Sequence, residues 1–214
     1  MNKTVMATPN IKKKPSSLRY FQEGVAPVDI GSWRLNVQGI VDRPLELSLD
    51  DLLSMPQVYS HRRSMCVCLW SIKRHWEGVL LKDVLELANV DVLDDSLYLK
   101  QRSIGTDKGV YDSTIHLASA VRRNAILAHS VDGSSLPLEN GFPLRLHDFG
   151  LYLYKCVKAL ASLEVTRENE IGYWEEYAGY DVDGTVLPKR YYAVDLHRKF
   201  YFAGKGEVMD EDIC

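Results

Sequence analysis

Residues 64–88, SMCVCLWSIKRHWEGVLLKDVLELA, decide how this chain folds. The second half of the stretch has apolar residues at positions i, i+3, i+4 and i+7, a spacing that predicts an amphipathic helix over residues 80–89. These apolar positions are Leu81, Val84, Leu85 and Ala88. The run before it, from Val58 to Leu69, is predicted to be a strand that carries both Cys66 and Cys68. A strand and a helix so close together indicate a domain that mixes the two kinds of element.

The rest of the chain continues this mixture of short strands and short helices. The segment after Trp33 alternates apolar and polar residues, which is the strand period, and Ser48 with Asp51 is typical of a capping box that opens a short helix. Further elements are predicted as strands over residues 96–102, 125–131, 142–146 and 160–165, and as a helix over 116–121. Because no regular βαβ alternation appears, the pattern predicts an α+β fold with mixed sheets and short helices.

The composition is that of a packed globular protein. Apolar residues make up 46% of the 214 and charged residues 26%, which excludes a disordered chain. A net charge of −3 gives no support for nucleic-acid binding, and no apolar run approaches the roughly 20 residues of a membrane span. The first residues have no apolar signal core, so we expect a cytoplasmic protein, or a periplasmic one if a leader was removed. We also expect a flexible arm over residues 1–18 and a single domain over 19–214.

The four cysteines form neither a disulfide framework nor a zinc motif, because two are separated by one residue and another ends the chain. Cys66 lies between arginines, at positions 62 and 63, and two tryptophans. One interpretation is a thiolate in a partly positive pocket with aromatic walls. The other is a small buried core residue beside core tryptophans.

A second stretch, residues 138–166, reads LENGFPLRLHDFGLYLYKCVKALASLEVT. Asn140 and Arg145 lie near its start, and Lys155 and Lys158 follow. Arginine offers a bidentate fork, lysine a point charge and asparagine an amide donor, so the group has the chemistry to clasp a phosphate. A hairpin turn with surface charges is the alternative.

Together the two stretches resemble the molybdopterin-binding domain of the sulfite oxidase family. The shared patterns are C-x3-W-S-x4-W-x-G-V-x-L, N-G-x-P-L-R-L and K-x-V-K, in the family's order and at matching spacing. The similarity extends over roughly residues 19–180, including WRLNVQGIVDRPLELSLDDLLSMP upstream and GYWEEYAGY downstream. It is nearest to the small single-domain bacterial members and to the catalytic subunit of the methionine-sulfoxide reductase.

The resemblance implies a Mo-molybdopterin cofactor with Cys66 as both the molybdenum ligand and the catalytic residue. Soft thiolate ligation suits such a metal, and metal binding keeps the sulfur deprotonated. Further cofactor-binding positions implied by the resemblance are Arg19, Gln22, Glu23, Gln101, Asn140, Arg145, Lys155, Cys156, Val157 and Lys158.

The activity that the resemblance implies is oxygen-atom transfer to or from a small oxyanion or a sulfoxide. Electrons would be exchanged with a separate electron-transfer protein that carries haem or a similar group. One alternative is a cofactor-free relative that acts as an interaction module, which Leu153 in place of a glycine, Gln101 and the LHDFG segment favour. Another is a thiol redox or metal-transfer protein built on Cys66 and Cys68.

Overall fold

The structure is a computed structural model that describes residues 27–105 and 109–213. Its elements are short and strands predominate. The strands are β1 (Leu35–Gly39), β2 (Leu45–Leu47), β3 (Val58–Met65), β4 (Trp70–Leu80), β5 (Tyr98–Ser103), β6 (Asp112–His116), β7 (Ile126–Val131), β8 (Ser134–Ser135), β9 (Arg145–His147), β10 (Leu160–Thr166), β11 (Lys189–Ala193) and β12 (Arg198–Phe202). The α-helices are α1 (Leu49–Ser54), α2 (Leu81–Leu87), α3 (Leu117–Arg122) and α4 (Tyr173–Ala178).

Two mixed sheets form the framework. One has five strands in the order β2-β1-β10-β5-β6, and the other has seven, with β12-β11-β4-β7-β8 in a row, β3 paired to β4 and β9 paired to β7. Each sheet contains one parallel pairing, β1 with β10 and β4 with β11, among antiparallel ones. The predicted α+β fold with mixed sheets and short helices is therefore confirmed.

Helices α1, α2 and α3 form where the sequence predicts helices, whereas α4 was not predicted. Ser48 caps α1, and its side chain and that of Asp51 exchange hydrogen bonds with each other's backbone, so the predicted capping box is confirmed. Helix α2 buries Leu81, Val84 and Leu85 completely against the core of the five-stranded sheet. Burial of each such side chain contributes about 1.5–3 kcal/mol to the free energy of folding. This burial holds α2 in place immediately after the end of β4 in the chain.

The strand predicted from Val58 to Leu69 is wrong at its end. β3 stops at Met65, residues 66–69 form a turn, and β4 then runs back antiparallel to β3. Leu69 adopts a φ of 65°, a left-handed conformation that a continuous strand does not allow. Strand β4 itself was not predicted, because its charged residues interrupt the alternation of apolar side chains. The two cysteines consequently lie at the tip of a hairpin and not along a strand.

The C-terminal hairpin, β11 and β12, packs against this cysteine hairpin. β11 runs parallel to the start of β4, where Tyr192 is opposite Trp70 and Ala193 is opposite Ser71. Ion pairs between the two hairpins and the segment that follows β12 are Arg62–Glu207, Arg63–Asp195 and Lys73–Asp210. The last strands therefore hold the cysteine hairpin in place.

Two expectations about organisation stay predictions. The arm over residues 1–18 lies outside the described residues, and the single domain over 19–214 is not tested by the fold alone. Among the helices that the structure describes, none has the length and apolar character to cross a membrane, and α2 has seven residues.

Candidate functional site

Cys66 occupies the first position of the turn between β3 and β4. Its backbone N–H donates to the Trp70 carbonyl over 2.8 Å, and its own carbonyl accepts from the Leu69 N–H at 3.0 Å. The Cys66 Sγ accepts a hydrogen bond from the backbone N–H of Cys68 at 3.2 Å. A donor aimed at sulfur favours the thiolate over the thiol. The turn thus holds a cysteine that is 2% exposed, with a hydrogen-bond donor directed at its sulfur.

The segment from Asn140 to Gly141 packs directly on residues 155–159, which we call the lysine segment. Gly141 has a φ of 105°, and a Cβ there would stand 2.8 Å from the Cβ of Lys158. The Ala159 N–H donates to the Gly141 carbonyl over 3.1 Å, and Arg145 forms an isolated bridge with Lys158. Only glycine permits this approach, so the N-G motif brings the arginine and the lysine segment together.

Arg145 is a fully buried guanidinium that the protein only partly satisfies. Its Nη1 donates to the Asn140 carbonyl over 3.2 Å, while Nε and Nη2 have no partner among the described residues. The guanidinium carbon lies 5.4 Å from the centre of the Trp76 ring. Burial lowers the pKa of Arg145, which shows that the surroundings disfavour its charge. A buried cation with two unused donors is costly, so the site has the chemistry to receive an anion.

Lys158 adds a second buried cation beside the first. It is 4% exposed, and its Nζ donates over 3.4 Å to the Glu139 carbonyl. Burial and then Arg145 hold the pKa of Lys158 well below its usual range, and Cys66 acts in the opposite direction. Cys66, Arg145 and Lys158 therefore share one electrostatic environment, in which an anion would stabilise both cations.

Two aromatic neighbours of Arg145 also have unsatisfied nitrogens. The Nε1 of Trp76 and the Nδ1 of His147 are buried without a partner among the described residues. The Nε2 of His147 is 2.9 Å from Ser64 Oγ, and its ring stacks on Phe149 and lies 4.5 Å from Trp76. Burial and then Arg145 hold the pKa of His147 well below its usual range. Four unpartnered nitrogens thus belong to three neighbouring side chains, a concentration that fits a polar ligand.

Gln101 holds the backbone of the lysine segment. Its Nε2 donates to the Lys155 carbonyl over 2.9 Å, and its Oε1 accepts from the Val157 N–H at 3.1 Å. The Cys156 N–H donates to the Leu153 carbonyl over 3.1 Å. The N–H groups of residues 156 and 157 are thus used within the protein. Cofactor contacts by Gln101, Cys156 and Val157 stay predictions.

Lys155 is turned to a different partner from Lys158. Its ammonium forms a buried ion pair with Glu175 and donates to the Val182 carbonyl over 2.9 Å. Neither side chain of the ion pair is more than 1% exposed. The structure therefore does not bring the Lys155 ammonium into the group formed by Arg145 and Lys158, and its direct contact with a cofactor stays a prediction.

The other two described cysteines differ sharply from Cys66. Cys156 is buried, its Sγ is 3.5 Å from the Asp148 N, and burial raises the pKa of its thiol to about 11. Cys68 is exposed, and its side chain is hydrogen-bonded with Tyr180. Partial burial, followed by Cys68 and Cys66, raises the pKa of Tyr180 to about 12. Cys156 interacts electrostatically with Arg145, and Cys66 does so with Lys158, so the two buried cysteines lie on the two cations of the site.

The structure brings together four of the predicted residues: Cys66, Asn140, Arg145 and Lys158. Three others, Arg19, Gln22 and Glu23, lie outside the described residues. Trp76, His147 and Tyr180 were not predicted as site residues. Trp76 stands in the cysteine motif and Tyr180 ends the GYWEEYAGY segment, so a signal existed for both. His147 follows Arg145 by two residues in β9 and shares its side of the strand.

Comparisons with known proteins identify the family of the chain. Residues 23–174 match the model of the oxidoreductase molybdopterin binding domain. The chain is 32% identical to the uncharacterized oxidoreductase YuiH of Bacillus subtilis over 73% of its length and 76% of the relative's. It is 34% identical to the putative protein-methionine-sulfoxide reductase subunit YedZ1 of Azospira oryzae over 78% of its length and 61% of the relative's.

A second reductase and a solved structure extend the comparison. The protein-methionine-sulfoxide reductase catalytic subunit MsrP of Campylobacter jejuni is 28% identical over 69% of this chain and 53% of its own length. The crystal structure of the sulfane dehydrogenase SoxCD from Paracoccus pantotrophus matches 86% of this chain and 48% of that one, with a TM-score of 0.62 and 18% identity. The last likeness shows the fold. Because the family model covers most of the sequence, this chain belongs to the oxidoreductase molybdopterin binding domain family, as the resemblance to sulfite oxidases predicts, and it is an oxidoreductase.

Proposed function

We propose that this oxidoreductase holds Mo-molybdopterin and transfers an oxygen atom to or from a small sulfoxide or oxyanion. The observation that carries the proposal is the group of four buried, unpartnered nitrogens on Arg145, Trp76 and His147, close to Lys158 and Cys66. A folded chain rarely leaves so many buried polar atoms unsatisfied in one place. A cofactor with an anionic phosphate and a polar ring system would supply partners of the required chemistry.

Arg145 and Lys158 would hold the phosphate of the cofactor. The guanidinium has two unused nitrogens, the geometry that accepts two oxygens of one phosphate. Lys158 adds a point charge from the adjoining segment, and Gly141 keeps the two segments in contact. Because both cations are buried, the phosphate would be bound where water does not screen the attraction.

Cys66 would supply the thiolate ligand of molybdenum. The Cys68 N–H donates to its sulfur, and the turn fixes that sulfur through two backbone hydrogen bonds. The nearby cations favour the deprotonated form. When bound, the cofactor supplies the oxygen-atom exchange and accepts or releases the electrons, while the protein supplies the ligand, the orientation and the charge.

The remaining predicted residues would act through the backbone. Gln101 ties residues 155 and 157 to β5, and the ion pair of Lys155 with Glu175 anchors the same segment from the other side. These residues would set the position of Lys158, and their own direct contact with the cofactor stays a prediction. We also propose that residues 19–214 form one domain, with Arg19, Gln22 and Glu23 completing the site.

A sulfoxide is the substrate class that we would test first. Two relatives have protein-methionine-sulfoxide reductase in their names, although this chain spans only 61% and 53% of their lengths. Such a reduction needs electrons from outside the chain, which we expect from a separate redox protein. The range of substrates is best narrowed with reduced viologen as donor, comparing methionine sulfoxide, dimethyl sulfoxide and a small oxyanion.

The test begins with the molybdenum and pterin content of protein from a host that makes the cofactor. Because one thiolate is proposed to bind the metal, we expect about one molybdenum per chain. The Cys66→Ser variant should lose this molybdenum. Cys68→Ser is the matched control, because that side chain is exposed and the backbone N–H that donates to Cys66 remains. Equal loss in both variants would favour a dithiol protein. Wild-type protein without molybdenum or pterin would contradict the proposal.

A further inference from the structure

The C-terminal hairpin presents an unusual outward face. Strands β11 and β12 bury alternate residues in the core and expose the others. The exposed residues of the paired strands form two cross-strand pairs, Arg190 with Tyr201 and Tyr192 with Lys199. Tyr201 is 59% exposed and Tyr192 is 38% exposed. Each cation therefore stands opposite a tyrosine, and we call these four residues the hairpin face.

The positive charge of the hairpin face is not neutralised within the described part of the protein. No ion pair involves Arg190 or Lys199 there, whereas Asp195, the acidic residue between the two strands, is paired with Arg63. The whole chain has a net charge of −3, so this face opposes the overall charge. An uncompensated cationic patch attracts a partner of opposite sign and raises its association rate.

The hairpin face is also continuous with the loop that holds Cys66. The Tyr192 N–H donates to the Leu69 carbonyl over 2.9 Å, and the Leu69 N–H donates to the Cys66 carbonyl over 3.0 Å. Tyr192 is opposite Trp70 in the sheet, and Leu69 is 44% exposed at the same edge. Two hydrogen bonds thus connect the proposed metal ligand to the surface.

We infer that the hairpin face docks an acidic protein that carries electrons to or from the site. This inference rests on the proposed function, because it assumes that Cys66 holds a redox centre. A carrier bound here would approach that centre through the short path from Tyr192 to Cys66. Tyrosine and arginine are enriched in protein–protein interfaces, and complementary charge sets the association rate of such complexes.

The test uses an acidic plant-type ferredoxin as the probe and the full chain as it is purified. Binding is measured by calorimetry at low ionic strength with wild-type protein and with Arg190→Glu/Lys199→Glu. The matched control is Lys82→Glu/Arg122→Glu, which makes the same charge change at exposed side chains on α2 and α3. Circular dichroism and thermal melting check that all variants are folded.

We expect the hairpin variant to weaken ferredoxin binding by about tenfold or more, and added salt to remove most of the difference. The control variant should bind with nearly wild-type affinity. In protein loaded with molybdenum and supplied with methionine sulfoxide as the terminal electron acceptor, the hairpin variant should also slow oxidation of reduced ferredoxin while leaving the oxidation of reduced methyl viologen unchanged.

Three results would overturn the inference: no binding of ferredoxin, equal weakening in both variants, or tighter binding of a basic cytochrome c or of single-stranded RNA. Calorimetry needs no metal, so it tests the hairpin face even if the chain holds no molybdenum. Failure of the proposed function would instead appear as absent metal together with intact, charge-dependent binding of ferredoxin.

Discussion

Lys155 and Lys158 lie on one short segment and are both buried, yet their surroundings are opposite. The ammonium of Lys155 is paired with Glu175 and donates to the Val182 carbonyl. Lys158 forms no ion pair among the described residues and lies near a second cation, Arg145. The charge of Lys155 is thus neutralised by an acidic residue of the fold, whereas that of Lys158 has no acidic partner among the described residues.

The same contrast separates two arginines. Arg123 donates to both oxygens of Asp148, whose side chain is fully buried, whereas Arg145 has two unpartnered nitrogens. A buried charge with a partner inside the protein is part of the fold. A buried charge without one is tolerated only where something else supplies the partner, so the distinction separates structural cations from those of the site.

Lys155→Met should have the largest effect on stability. It leaves the Glu175 carboxylate buried without a cation, and one oxygen of that carboxylate already has no partner among the described residues. Breaking a buried pair costs about 3–5 kcal/mol, so we expect the free energy of unfolding of the cofactor-free chain to fall by that amount in urea titrations. Lys158→Met is the control and should not lower it. An equal fall in both variants would contradict the distinction between a structural lysine and a lysine of the site.

The two arginines give the next largest effect. Arg123→Met strands a buried carboxylate, so it should destabilise the cofactor-free chain by about 1–3 kcal/mol in the same titration. Arg145→Met removes an unpartnered charge, so the stability should stay level or rise. In a host that makes the cofactor, only Arg145→Met should lose molybdenum, by about tenfold or more, because a buried charged contact is lost. Loss of molybdenum in Arg123→Met alone would refute this assignment.

His147 should make the stability of the cofactor-free chain depend on pH. Burial, and then the charge of Arg145, lower the pKa of His147 in the folded state, so the unfolded chain takes up the proton first. Stability from this group is present above the unfolded value of about 6.5 and falls as the pH decreases toward the folded pKa, by up to about 1.4 kcal/mol per pH unit. His147→Gln should flatten the slope between about pH 7 and 5. An unchanged slope would show that another group titrates.

Much of this arrangement follows from local sequence patterns. The capping box at Ser48 and the spacing of Leu81, Val84 and Leu85 predict α1 and α2, because these signals involve residues that lie close together in the chain. The N-G-x-P-L-R-L motif placed Asn140 beside Arg145. The hairpin turn after Met65 escaped prediction, because a left-handed Leu69 has no local signature.

The opposite roles of the two lysines could not be predicted at all. The pairing of Lys155 with Glu175 joins two segments that are distant in sequence, and nothing near either residue announces it. His147 similarly reads as one residue of an ordinary strand until the fold places it against Trp76 and Phe149. Residues distant in the sequence decide whether a buried charge has a partner. Local patterns in a single sequence do not predict which distant residues come into contact.

Lys82 tests whether burial, and not charge alone, makes the difference. Its ammonium is 3.4 Å from Glu86, one helical turn away, and about half of each side chain is exposed. Water screens both charges, so Lys82→Met should change the free energy of unfolding by no more than about 0.5 kcal/mol and leave molybdenum content unaffected. Urea titrations of Lys82→Met and Lys155→Met under the same conditions would compare their free energies of unfolding directly. If Lys82→Met cost as much as Lys155→Met, pairing by itself would set the energy, and the lack of an ion-pair partner for Lys158 among the described residues would no longer identify a site.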